Sequence, residues 1–250
     1  MADPVALGPH HGETLDAILG GLVRVLQHER GYRFSLDPIL LADFAARTPA
    51  RSAADLGTGS GVIALLLAAL GGAEHVVGIE VQAGMADLAR RAVALNGLGD
   101  RVEIVQGDLR DPQALPRDHF ELVVSNPPFR PVAEGPPSPH RERALARTEI
   151  AATMTDVIHT TQRILRSGGR ACFVYPATRL AELLTALSKA ALWPRRLRLV
   201  HPRLGAPAEL CLVEAGKGKA HPLEVLPTLV VHEANGDYTL ELKRILRHGD

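Results

Sequence analysis

Between Ala54 and Gly61 the chain reads ADLGTGSG, a short apolar run that breaks into three alternating glycines and resumes as the apolar helix pattern VIALLLAAL. Glycine adopts backbone conformations closed to other residues and lets a ligand approach the main chain closely. A loop of this kind after a first core strand puts a ligand at the carboxyl end of that strand, beside a helix N-terminus. Downstream, β-branched runs alternate with helical ones. Strands are expected over 53–56, 76–80, 102–106, 120–125, 170–175, 196–200 and 210–214. Helices are expected over 61–70, 83–96, 150–166 and 180–191. Leu180, Leu183, Leu184 and Leu187 fall at i, i+3, i+4 and i+7, one face of a helix. Such alternation predicts an α/β fold: a seven-stranded, mostly parallel, Rossmann-like sheet with helices on both faces.

The spacing of the loop restricts its ligand. G-x-G-x-G is neither the dinucleotide fingerprint nor a Walker loop, which needs Gly-Lys-Ser/Thr. Asp55 stands just ahead of the glycines and would repel a pyrophosphate at close range. It suits a ligand bearing an ammonium group. S-adenosylmethionine carries an ammonium, a sulfonium and one carboxylate, and no phosphate. Glu80 ends the second predicted strand, where a carboxylate can accept both ribose hydroxyls. Asp108 follows the third, in reach of an adenine amine. Three acids at three successive strand tips, together with Gly57, Thr58, Gly59 and Gly61, make S-adenosylmethionine the expected cofactor.

The fourth strand runs into SNPPF. Asn126 precedes a proline, which favours extended backbone. Pro127 and Pro128 each fix φ near roughly −65° and lack a donor. The Asn126 side-chain oxygen and the Pro127 carbonyl then form two acceptors at fixed separation, matching the two hydrogens of a planar NH₂ group. Phe129 offers a face on which an extruded base can stack. Asn126, Pro127 and Phe129 are the candidate catalytic residues, with Asn126 also touching the cofactor.

Composition bounds the rest. The 250 residues are 46% hydrophobic and 22% charged, with 28 basic against 28 acidic side chains, so nucleic-acid binding must come from local clusters. His140–Arg143, Arg147, the group Arg195, Arg196, Arg198 and Arg203, and the group Lys243, Arg244 and Arg247 are such clusters. Arg141, Arg143 and Arg147 are expected at the substrate, while the last two groups read as ordinary surface. Cys172 and Cys211 lie in apolar runs and read as buried free thiols. The histidines lack metal-ligand spacing, so no metal is expected. No membrane span or export signal is apparent, and a cytoplasmic location is expected. One domain over 1–250 is the simplest organisation: 1–50 as a hairpin, turning at 28–31, plus a cofactor-covering segment; 51–216 as the core; 217–250 as an extension.

The combination D-x-G-x-G-x-G with N-P-P-F resembles the class I amino methyltransferases that act on adenine N6, guanine N2 or glutamine amides. Gly31–Asp37 (GYRFSLD), the following PILLA, Ala146–Glu149 and the closing Tyr238–Leu246 run resemble the bacterial tRNA adenine-N6 methyltransferases that modify the adenine beside the anticodon of a valine tRNA. The resemblance covers nearly the whole chain. It implies RNA, in particular tRNA, as partner. It places Ser35 and Asp37 near the methionine end of the cofactor, with Tyr32 and Arg33 on the RNA side. Phe129 stands where tyrosine is common in that family; stacking survives the change, a phenol hydroxyl does not. Two other readings fit the same NH₂-gripping motif: glutamine methylation of a release factor, and a non-catalytic protein that binds cofactor and RNA.

Overall fold

The structure is a computed structural model that describes residues 8–30, 35–127 and 152–247. It opens with an antiparallel hairpin, β1 (Glu13–Ile18) and β2 (Val23–His28). The turn lies at 19–22, and not at 28–31 as the sequence pattern suggested. Leu19, Gly20 and Gly21 all take positive φ there, and the glycine pair makes the reversal inexpensive. Residues 31–34 lie outside the described residues.

Helix α1 (Asp37–Ala46) was not apparent in the sequence. Pro38 near its start suits a first helical turn, but seven of its ten residues are buried, so no polar face marks the period. The core then alternates: β3 (Ala50–Leu56), α2 (Val62–Ala69), β4 (Ala73–Glu80), α3 (Ala83–Leu95), β5 (Val102–Gln106) and β6 (Phe120–Ser125). It continues with α4 (Met154–Ile164), β7 (Leu165–Pro176), α5 (Leu180–Lys189), β8 (Leu192–Arg203) and β9 (Leu210–Lys217). The strands and helices expected from the pattern are all present, with ends shifted by a few residues. The start of the 150–166 helix falls partly outside the described residues.

The sheet has nine strands and not seven. Its order is β10-β8-β9-β7-β6-β3-β4-β5, with β11 also on β8. The two additions, β10 (Glu224–Val225) and β11 (Leu229–His232), come from the C-terminal segment and pair parallel to β8. Only β9 runs antiparallel to its neighbours. Helix α6 (Leu240–Leu246) closes the described chain. Thr239 caps it, its hydroxyl accepting from the Leu242 N–H at 3.3 Å.

Two apolar cores cover the two faces. Helices α1, α2 and α3, the hairpin and α6 share one; α4 and α5 share the other. Cys172 and Cys211 are free and buried. Burial pushes both thiols up to about 12, which keeps them protonated. No helix among the described residues is long and apolar enough to cross a membrane.

A buried ion pair fastens the hairpin to α3. Arg91 Nη2 donates to Glu13 Oε1 at 2.7 Å, each side chain 9% exposed, and Nη1 donates to the Gly8 carbonyl. Burial raises the Glu13 pKa, but hydrogen bonds from Arg91 and the His10 N–H, with the neighbouring charges, leave it lowered overall. A carboxylate lowered in the folded state stabilises at neutral pH and loses that contribution as pH falls through the folded-state pKa. Glu13→Gln is expected to cost roughly 3 kcal/mol at pH 7 in urea unfolding, because it leaves Arg91 under-paired. The deficit should shrink as the pH drops below the ordinary carboxylate range; a deficit constant with pH would count against the ion pair.

Candidate active site

The site grows from the register of β3 with its neighbours. Asp55 lies level with Gly78 on β4 and Val124 on β6. The carboxyl ends of β3, β4, β5 and β6 therefore meet at one rim. Ser125 Oγ donates to the Leu56 carbonyl at 2.8 Å and ties two of these ends together. Asn126 is the next residue beyond this tie, as Gly57 is beyond Leu56. It is half-buried and Pro127 is buried. Phe129 lies outside the described residues, as do Tyr32, Arg33, Arg141, Arg143 and Arg147.

All three loop glycines need the left-handed region: φ is 74° at Gly57, 58° at Gly59 and 85° at Gly61. Among the described residues a β-carbon added at Gly57 would meet no atom within 4 Å, so these residues leave space above the strand ends. One at Gly61 would come within 3.1 Å of Ala89 Cβ, so that glycine lets α2 and α3 approach.

Beneath the loop, Asp55 is fully buried. Oδ2 accepts from the Thr58 hydroxyl at 2.6 Å. Oδ1 makes no hydrogen bond of ordinary geometry. Burial pushes its pKa up to about 7, with the Thr58 hydroxyl and the Ala64 N–H opposing and the Glu80 charge adding to the rise. An under-satisfied buried carboxylate below an open glycine loop fits a cationic ligand group.

Glu80 is buried and held through both oxygens. Oε2 accepts from Gly59 N–H at 3.0 Å and Oε1 from Gln82 N–H at 2.9 Å. Each oxygen keeps a lone pair for a hydroxyl. Asp108 follows β5 and is gripped by Arg110: Nε lies 2.9 Å from both oxygens and Nη2 2.6 Å from Oδ2. These bonds hold the Asp108 carboxyl below the usual range. Ser35 and Asp37 lie at the start of α1 and line a cleft toward β8, β9 and β11. The structure thus brings Asp55, Gly57, Thr58, Gly59, Gly61, Glu80 and Asn126 to one place. Asp108 is on the same rim with Arg110 on its carboxylate, whereas Ser35 and Asp37 line the cleft toward β8, β9 and β11.

Two further residues escaped sequence reasoning. Ser125 opens the SNPPF run, but nothing in the sequence signals its bond to the Leu56 carbonyl. Gly78 was passed over, although a glycine inside an apolar strand signals close approach of something else. That neighbour is Thr58: a β-carbon on Gly78 would lie 2.9 Å from both its Cγ2 and its Oγ1.

The arrangement has known relatives. A family model described as the methyltransferase small domain matches residues 37–189. The tRNA1(Val) (adenine(37)-N6)-methyltransferase of Porphyromonas gingivalis is 31% identical over 229 residues, with 85% of this chain and 86% of the relative covered. The protein of the same name from Aeromonas hydrophila is 30% identical over 218 residues, covering 86% and 89%. The chain belongs to this methyltransferase family. Among solved structures, a crystal structure of a predicted O-methyltransferase, Atu636 of Agrobacterium tumefaciens, superposes with a TM-score of 0.67. It is 28% identical and covers 86% of this chain and 98% of its own. A putative transferase of Pyrococcus horikoshii, 13% identical with a TM-score of 0.60, shares the fold over 84% and 74% of the two chains.

Gly78→Ala is expected to push Thr58 off Asp55. Overpacking of this kind costs about 1–3 kcal/mol. Urea unfolding should show that loss, and calorimetry should show weaker S-adenosylhomocysteine binding. Unchanged binding would mean that Thr58 does not position the loop.

Proposed function

We propose that the chain transfers a methyl group from S-adenosylmethionine to the exocyclic N6 amine of an adenine in tRNA, beside the anticodon. The observation that supports this reading is the Ser125–Leu56 bond, which ties the strand end leading to Asn126 to the one leading to the glycine loop over Asp55. The names of the relatives support the substrate, and tRNA as substrate fits a cytoplasmic protein.

The residues at the rim suit the parts of such a cofactor. Asp55 would face the ammonium and Glu80 the ribose hydroxyls. Asp108, kept ionised by Arg110, would take the adenine amine, with Ser35 and Asp37 toward the methionine end. When bound, S-adenosylmethionine supplies an electrophilic methyl group on a sulfonium. The chain's own contribution is to aim the amine at it. An adenine N6 lone pair is delocalised into the ring and is a poor nucleophile. Asn126 Oδ1 and the Pro127 carbonyl would accept its two N–H groups, favour a pyramidal nitrogen and stabilise the positive charge that develops on it. The extra proton then leaves to water, and no side-chain base is needed.

The test is product identification. Incubation with labelled S-adenosylmethionine and unmodified tRNA should yield N6-methyladenosine after digestion. Label in methylglutamine, with a release factor supplied in parallel, would replace the reading; cofactor binding with no label in either would remove catalysis from it. Asn126→Ala should lower kcat by about 10²–10³-fold with cofactor affinity kept. Activity within a few-fold of the unaltered protein would end the role given to that amide.

Asp55 adds a pH signature. An ammonium binds its ionised form, so S-adenosylhomocysteine affinity should rise as pH increases through about 7, with a proton released on binding. In the empty protein the sign is opposite for folding. A carboxyl raised in the folded state stabilises at low pH and loses that contribution as pH rises through the same value. Calorimetry on Asp55→Asn should show weak binding without this pH dependence; a retained slope would assign the proton to another group.

A further inference from the structure

Four arginines crowd positions 195–203, and the fold disposes of three. Arg196 pairs with Glu214 at 2.5 Å and lies over the Phe44 ring. Arg198 is buried and donates to Glu241 at 2.5 Å and to the Pro227 carbonyl at 3.0 Å. Arg195 lies across Gly216 so closely that a β-carbon there would come within 2.0 Å of its guanidinium carbon. Arg203 is different. Like Arg195, whose Nε is buried without a hydrogen-bond partner, it meets no carboxylate among the described residues, but unlike Arg195 it is exposed, at the end of β8. The next residue, Leu204, is 88% exposed, far more than any other large apolar side chain described. Gly205, with φ of 81°, turns the chain toward β9.

This turn belongs to the catalytic rim. Ser125 is level with Phe173 on β7, whose end at Pro176 is level with Leu210, and Leu210 is level with Val200. Three strand spacings, roughly 14 Å across the sheet, separate β8 from β6, and Arg203 stands about six residues, roughly 20 Å, beyond the level of Ser125 along the strands. Two other arginines of the rim, Arg110 and Arg179, are committed to Asp108 and Glu182. Beside the turn lies a cleft of about 220 Å³. It is lined by Val200, Pro202, Glu209, Leu210 and His232, and by Asp37 from α1. His232 Nδ1 sits 3.0 Å from the Gly236 carbonyl, and its ring rests 5.2 Å from that of Tyr238. Pockets for whole drug-sized ligands run to about 300–1,000 Å³, so this one suits a smaller group.

An exposed cation, a bare apolar side chain and a largely apolar cleft lined in part by a carboxylate match the three parts of a nucleotide. Guanidinium suits a phosphate. Leucine and proline suit a ring face. Glutamate accepts from an exocyclic amine, as it does from cytosine N4. We propose that the β8–β9 turn and this cleft form a second contact surface for the substrate RNA. A nucleotide a few positions from the target adenine is held there by its phosphate at Arg203 and by an amine-bearing base edge at Glu209. The inference rests on the proposed function, because it takes the macromolecule at this rim to be RNA.

The experiment measures tRNA affinity at several salt concentrations, steady-state kinetics and S-adenosylhomocysteine affinity, all on the full chain. Arg203→Ala should raise the tRNA Kd and KM by about tenfold. It should also lower the salt slope by about one. kcat and S-adenosylhomocysteine affinity should stay the same. Arg203→Lys should recover most of the loss, and Leu204→Ser should raise KM without touching kcat. Replacing guanine and cytosine near the target by uracil should weaken binding to the unaltered protein but not to Glu209→Ala. A tRNA Kd and salt slope unchanged in both Arg203→Ala and Arg203→Glu would overturn the surface and leave the function standing. An equal response of the unaltered protein and Glu209→Ala to the uracil substitutions would overturn the base contact. If the unaltered chain bound no RNA at all, the functional reading and this surface would fall together.

Discussion

The Ser125 hydroxyl clamps the ends of two parallel strands by donating to the Leu56 carbonyl. Parallel strands carry evenly spaced, slanted hydrogen bonds, and their ends level off only where the register allows. Here the register sets Asp55, Gly78 and Val124 on one line, so the residues just past them converge without any loop having to reach across. The glycine loop, the buried carboxylate below it and the Asn-Pro step all follow from that alignment. Loss of the clamp would loosen the strand end leading to Asn126 from the one leading to the glycine loop.

What was legible in the sequence was what local chemistry dictates. Three glycines flanked by a strand and an apolar helix permit few structures, and all three adopt positive φ. Acids at strand tips, Glu80 and Asp108 among them, were found because the strand ends themselves were legible. Helix α1 was missed because a helix buried on every side shows no amphipathic period. The hairpin turn was misplaced because His28–Gly31 and Leu19–Leu22 both offer turn chemistry, and only the pairing of Glu13 with His28 decides between them. The two extra strands are short, and β10 has two residues, too few for any pattern to declare.

Charge was the least legible property. A cluster of arginines in one dimension resembles a nucleic-acid footprint, but most of this one is internal fastening. Glu214, itself buried, draws Arg196 inward and stands 3.9 Å from Arg170. Arg170 in turn satisfies the carbonyls of Ala45 and Thr48 at the end of α1. An Asp108 already gripped by Arg110 is the same lesson at the rim: a side chain identified by type alone arrives with a partner. Sequence position tells which cations exist; only carboxylate geometry tells which remain available.

The C-terminal segment has a consequence beyond its own packing. Without β10 and β11, β8 would be the last rung of the sheet on that side, twelve residues long and rich in hydrogen-bonding groups with nothing to meet. Such a border invites other chains to add themselves as further strands. Two short segments, one of them held in place by Thr239 and α6, seal that border from within the same polypeptide. The tail of this enzyme is thus also a safeguard of its solubility, a selvedge that keeps the fabric from joining its neighbours.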